Sequence, residues 1–255
     1  MSDVIEIPRC LKEAAADFSV FGHGVPVVLL HSSMSHKGQW RKLAQQLAPT
    51  RRVIAIDLFG YGNAPHLDSG YPSLHDEARR VKTVLRGIFG ALPALELVGH
   101  SFGGAVALRL ARMLPHRVTR VALFEPTAFH ILPAGDDAMN EVAEIAARMA
   151  LHLKQGARAR AVEIFLDYWA GRGAYAALPT HLQCLFARQA VKALRDFSAL
   201  FNEPAALADY ARIEIPVCLI AGRHSPASSR RVATLLAQNL ARAALHWVDA
   251  GHMAP

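Results

Sequence analysis

The stretch Gly99-His100-Ser101-Phe102-Gly103 sets a serine between two glycines, directly after the apolar run ALELV and directly before GGAVALRLA. A serine hydroxyl becomes a nucleophile when a neighbouring base takes its proton, and G-x-S-x-G on a strand-to-helix turn is one arrangement that presents it. The glycines permit a tight turn that holds Ser101 in a strained conformation above the end of the strand. The Phe102 N–H, at the start of the helix, then faces any oxyanion that develops on an attacked carbonyl. A serine that merely caps the following helix is the alternative reading. The base must come from elsewhere in the chain. His252, in VDAGHMAP, follows the last apolar run and a small-residue turn, from which its imidazole can reach over the strand ends. His100 is closer in sequence, but its place beside Ser101 on the turn points it away from the hydroxyl.

The elements that must position these groups are legible as short apolar runs alternating with amphipathic stretches, the pattern of a parallel sheet covered by helices. The runs VPVVLLH (25–31), RRVIAID (51–57), ALELVGH (94–100), RVALFE (120–125), VCLIAG (217–222) and ALHWVDA (244–250) predict strands. Their lack of strict alternation suits strands buried on both faces. DVIEI and FSVFG are expected to add an antiparallel edge. Helices are predicted over GQWRKLAQQLA, SLHDEARRVKTVLRGIF, GAVALRLARML and SSRRVATLLAQNLA, each with apolar residues three and four apart. Between residues 127 and 205 the alternation stops and helix follows helix: DDAMNEVAEIAARMALHLKQG, ARAVEIFLDYWAG, LPTHLQCLFARQAVKALRDFSALF. This insertion reads as a cap over the strand ends, dividing the chain into a core of residues 1–126 and 206–255 and a helical cap of residues 127–205.

Composition narrows the class. A 255-residue chain that is 52% hydrophobic and 19% charged can bury a substantial core. No apolar run approaches the roughly 20 residues of a membrane span. The N-terminus MSDVIEIPRC lacks an apolar signal core, so the expected place is the cytoplasm. The net charge of +7 is spread over scattered pairs such as Arg51-Arg52, Arg79-Arg80 and Arg230-Arg231, which argues against a nucleic-acid face. Cys10, Cys184 and Cys218 have no metal spacing, and the thirteen histidines form no H-E-x-x-H. Neither a metal nor a cofactor is expected.

The motifs together resemble the α/β-hydrolase fold, in the serine-nucleophile branch that carries a helical cap. The resemblance spans roughly residues 20–255: VVLLHSS after one strand, DLFGYG after the next, GHSFGG at the elbow and the terminal GH. It implies a mostly parallel eight-stranded sheet flanked by helices, with an inserted helical cap. The order of nucleophile first and histidine last matches the family. In the family an H-G-x segment after the third strand supplies the second oxyanion N–H. Here the segment reads His31-Ser32-Ser33, so Ser33 is the implied donor, with serine in place of the usual glycine. The family's acid usually follows the LIAG-type strand, where this chain has His224 and Ser225. Related hydrolases take it instead from the strand after the nucleophile helix, which points to Glu125 in LFEP. A surface glutamate before a proline turn is the competing reading. Asp57 is expected to order its own loop, and Asp249 to belong to the turn before His252.

The expectation is therefore a serine hydrolase with Ser101 as nucleophile, His252 as base and Glu125 as the acid that orients it. A small, fairly apolar ester or lactone comes first as substrate; carbon–carbon bond hydrolysis and cofactor-free perhydrolysis use the same groups. Phe165, Tyr168, Trp169 and Phe186 of the cap are candidates to line the pocket, with simple core packing as the alternative. A small molecule is the expected partner, without nucleic acid or membrane, and a homo-oligomer stays open. The rival class is a non-catalytic ligand-binding protein on this fold. The family normally continues beyond GHMAP into a helix packed on the sheet. The chain as given is then expected to expose an apolar strip beside the VCLIAG and ALHWVDA strands.

Overall fold

The computed structural model describes residues 17–66 and 72–255. Seven strands form one sheet: β1 (Phe18–Phe21), β2 (Val25–Leu30), β3 (Arg51–Ile56), β4 (Leu95–His100), β5 (Val118–Phe124), β6 (Val217–Gly222) and β7 (Ala243–Val248). Their order across the sheet is β1-β3-β2-β4-β5-β6-β7. All neighbours are parallel except β1, which pairs antiparallel with β3, as expected for FSVFG. The expected eighth strand is not among the described residues, so the count there is seven; the DVIEI stretch lies outside them.

Val28, Leu29, Leu30, Ile54 and Ile56 are fully buried, as strands covered on both faces require. Each such side chain contributes about 1.5–3 kcal/mol by leaving water. The α-helices of the core are α1 (Arg41–Leu47), α2 (Leu74–Phe89), α3 (Phe102–Met113) and, after the insertion, α7 (Ala227–Asn239). The predicted first helix begins instead as a 3₁₀ turn over Lys37–Trp40. Helix α2 starts at a capping box, in which Ser73 and Asp76 each bond the other's backbone N–H. Between β5 and β6 the chain forms α4 (Asp137–Lys154), α5 (Arg158–Ala170) and α6 (Thr180–Phe201). These pack on one another and, through α4 and α6, on α7 and α3. Among the described residues, no helix is long and apolar enough to cross a membrane.

One face of β6 and β7 is covered by α7. Along β7, exposed Ala244 and His246 alternate with half-buried Ala243 and Leu245. The register puts Ala244 beside half-buried Cys218 and His246 beside half-buried Ile220, so these four share the face opposite α7. A partly apolar strip is thus present beside both strands.

The order reverses around β2, which lies between β3 and β4. In open α/β sheets, ligands bind at such a switch point, beyond the carboxyl ends of the strands. The chain leaving β2 carries Ser33, and the chain leaving β4 carries Ser101.

Candidate active site

Ser101 follows β4 with φ 54° and ψ −120°, and its side chain makes no capping bond to α3. The helix-cap reading of this serine is therefore set aside. The turn is as tight as the flanking glycines allow. A Cβ on Gly103 would stand 2.4 Å from the carbonyl oxygens of Leu30 and His31, and one on Gly99 would stand 2.6 Å from that of Gly103. Only glycine lets α3 start so close to β2. The three non-glycine residues with positive φ among the described residues are Met34, Ser101 and Glu125. They follow β2, β4 and β5, and all three surround one spot.

At that spot Ser101 Oγ lies 3.0 Å from His252 Nε2, and His252 Nδ1 lies 2.5 Å from Glu125 Oε2. The other Glu125 oxygen accepts the Gly222 N–H at 2.6 Å. Burial alone would raise the Glu125 carboxyl, but its hydrogen bonds from His252 and from the Gly222 N–H outweigh it and hold it below the ordinary value. Glu125 is thus an acceptor only, and His252 Nδ1 must carry the proton. Nε2 is left to accept from the Ser101 hydroxyl. Glu125 is fully buried, which removes the surface-glutamate reading.

The other candidates fall into supporting places. Asp57 accepts the Lys37 N–H at 2.6 Å, the Lys37 ammonium at 2.8 Å and the Asn63 N–H at 3.0 Å, so it orders the loops around it. Asp249 is exposed and pairs with His224 at 2.6 Å. Ser225, where the family's aspartate was expected, is buried near Glu125. His100 points away from the serine: its Nε2–H donates to the His252 backbone carbonyl at 2.8 Å. Burial, then the nearby His252, holds His100 well below the ordinary histidine value, so it stays neutral and its Nδ1 accepts from the Gln39 amide at 2.9 Å. The Gln39 carbonyl in turn accepts the Ser32 N–H and hydroxyl, both at 3.1 Å. One amide thus ties the loop after β2 to the loop bearing His252. Gln39 was not anticipated from the sequence.

Phe102 follows Ser101 as the first residue of α3, and Ser33 lines the same cavity as Ser101. The backbone N–H of neither is taken by a backbone acceptor outside the regular elements. The Ser33 hydroxyl is held differently: it donates to Asp196 Oδ2 of α6 at 2.6 Å, as does the Tyr61 hydroxyl at the same distance. Lys192, one turn earlier on α6, bonds Asp196 and also Glu77 of α2 at 3.2 Å. Its ammonium rests over the rings of Tyr61 and Phe102, 4.7 and 4.9 Å from their centroids. Burial opposes that charge, but Asp196 and Glu77 outweigh it and hold Lys192 above its ordinary value. This buried cluster joins the inserted helix to the expected oxyanion loop, and it too was missed. Its signal was present: Glu77 falls in the apolar stripe of α2 with Leu74, Ala78 and Val81, where a carboxylate needs a partner.

Two small lobes meet at Ser101. The outer one, about 180 Å³, is lined by Ser33, Gln39, Phe165, Trp169, Phe186 and His252, among others. The inner one, about 10 Å³, is lined by Ser33, Thr127, Phe165, Trp169 and Asp196, among others. Phe165, Trp169 and Phe186 therefore face the cavity. Tyr168 lines neither lobe; its hydroxyl bonds Ser228 of α7 at 2.6 Å and anchors α5 to the core. A larger concavity of about 670 Å³, bordered by Arg112, Pro216 and Arg242, holds none of these groups.

Comparison with known proteins identifies the family. A profile of the Alpha/beta hydrolase family matches residues 27–255. A 2-hydroxy-6-oxo-2,4-heptadienoate hydrolase of Pseudomonas putida is 39% identical over 109 residues, 40% of this chain and 37% of that protein. A pimeloyl-[acyl-carrier protein] methyl ester esterase of Aeromonas salmonicida is 37% identical over 98 residues, 38% of this chain and 36% of its own length. The matched segment thus spans little more than a third of these relatives. Among solved structures, an enol-lactonase from Burkholderia xenovorans LB400 superposes with a TM-score of 0.75 at 20% identity, covering 93% of this chain and 89% of its own. At that identity the likeness is one of fold. With the matched profile running through the elbow, both loops and the terminal histidine, the chain belongs to the alpha/beta hydrolase family.

Proposed function

We propose that this protein is a serine hydrolase acting on a small, neutral ester or lactone. The observation that carries the reading is the hydrogen-bonded line from Ser101 through His252 to a buried, ionised Glu125. In the proposed reaction His252 Nε2 takes the Ser101 proton as Oγ bonds the substrate carbonyl carbon and the carbonyl electrons move onto oxygen. The N–H groups of Phe102 and Ser33 receive that oxyanion. The imidazolium returns its proton to the leaving oxygen as the carbon–oxygen bond breaks, leaving an acyl-enzyme. A water activated by His252 then releases the acid. Residues 127–205 act as the cap, supplying Phe165, Trp169 and Phe186 to the pocket.

The lobes favour this substrate class over the dienoate named for the Pseudomonas relative, which is an anion. Among the described residues lining them, none is an arginine or lysine, and the one carboxylate is Asp196. The inner lobe is the size of one water or one methyl group, so an acyl chain that enters it can be no longer than acetyl. An alkyl fluorophosphonate is expected to label the wild-type protein, with labelling lost in Ser101→Ala. Among p-nitrophenyl esters, acetate should exceed octanoate in kcat/KM by at least roughly tenfold, the scale of a few misfitting methylenes. Faster cleavage of a 2-hydroxy-6-oxo-dienoate than of every ester would move the reading to carbon–carbon hydrolysis. Absence of labelling would favour a non-catalytic ligand-binding protein.

A further inference from the structure

The indole of Trp169, on α5, lies flat against the imidazole of His252. Their centroids are 4.1 Å apart and their planes differ by 28°. Both rings are buried, at 6% and 2% exposure. Packing fixes the indole: Tyr168 meets it edge-on at 4.7 Å and Phe165 at 6.2 Å, and Phe129 stacks parallel at 6.4 Å. Its Nε1–H bonds no other protein group among the described residues.

The reaction gives this ring contact a role. When His252 holds the Ser101 proton it is a buried cation with little water to solvate it. On one side Glu125 takes its Nδ1–H. His100, 5.0 Å away between centroids, is neutral and supplies no charge. The remaining broad contact is the face of Trp169, and an indole face attracts a cation more strongly than any other aromatic side chain. We propose that Trp169 is a positioning residue whose π-face stabilises the imidazolium form of His252, so that the inserted helix takes part in proton transfer as well as in shaping the pocket. The inference rests on the serine-hydrolase reading above. No atom or electron passes through Trp169; it acts on the charge that His252 acquires and then gives up.

The test replaces residue 169 site-specifically with mono-, di- and trifluorotryptophan, which keep the shape of the ring while draining the negative charge from its face. Two quantities are followed: the rate at which an alkyl fluorophosphonate labels Ser101, and kcat and KM for p-nitrophenyl acetate. The expected result is a stepwise fall in labelling rate and kcat, reaching roughly tenfold at three fluorines, with KM little changed. Trp169→Leu should fall at least as far, and the fluorinated series keeps the result interpretable if that variant folds poorly. A labelling rate and kcat that stay flat across the series would overturn the role of Trp169 while leaving the hydrolase reading intact. A wild-type protein that is not labelled on Ser101 at all would overturn both.

Discussion

Glu125→Gln is expected to lower turnover of p-nitrophenyl acetate by about 10⁴-fold, the scale seen when the acid of such a triad becomes an amide. Two donors converge on this carboxylate, the Gly222 N–H and His252 Nδ1. An amide has one oxygen to offer them. With that oxygen on Gly222, the amide NH₂ faces Nδ1 and forces the proton onto Nε2, where it meets the Ser101 hydroxyl instead of accepting from it. Fold and KM should change little, because the side chains are nearly the same size. Adding Ser225→Asp in that background should recover part of the loss, since Ser225 is buried near Glu125 in the place the family gives its aspartate. Turnover near that of the wild type in Glu125→Gln would remove Glu125 from the triad.

The second large effect concerns stability. Lys192→Met is expected to destabilise the fold by about 3–5 kcal/mol, because it leaves Glu77 and Asp196 buried without their cation. The loss should depend on pH in a defined direction. Burial already pushes the Glu77 carboxyl up, even with Lys192 opposing that shift. A carboxyl whose pKa is higher folded than unfolded binds more protons in the native state, so its contribution to stability falls as pH rises above the ordinary carboxylate range. Without Lys192 that fall steepens. The gap in melting temperature between variant and wild type should therefore be wide at pH 7 and narrow near pH 4. An equal gap at both would show that packing around the methionine, rather than charge, sets the cost.

These two sites differ in how much of them the sequence revealed. The central strands β2 and β3 were legible because both faces of each are buried, so Val, Ile and Leu run together there. The elbow was legible because α3 lies so close to β2 that Gly103 must be glycine, and folds back so tightly on β4 that Gly99 must be too. Glu125 required the resemblance as well as the sequence, since a carboxylate before a proline has no signature of its own. Gln39 and the Lys192 cluster bring together residues from separate elements, and no local spacing announces such a meeting. Lys192 and Asp196 stand four apart on one helix, but only the fold places Glu77 and Tyr61 against them. The strand count differed for a simpler reason: DVIEI lies outside the described residues.

Ser101 and Glu125 both occupy backbone conformations that glycine adopts freely and other residues enter at a cost of about 1–3 kcal/mol. At Ser101 selection for thermal stability alone would favour glycine, since the strain would vanish and the hydroxyl bonds only His252. At Glu125 the same change would strip the buried Gly222 N–H and His252 Nδ1–H of their acceptor, which offsets the relief. Robustness and reactivity thus pull in opposite directions at the end of β4 and in the same direction at the end of β5. Engineering that screens only for higher melting temperature discards Ser101 and keeps Glu125.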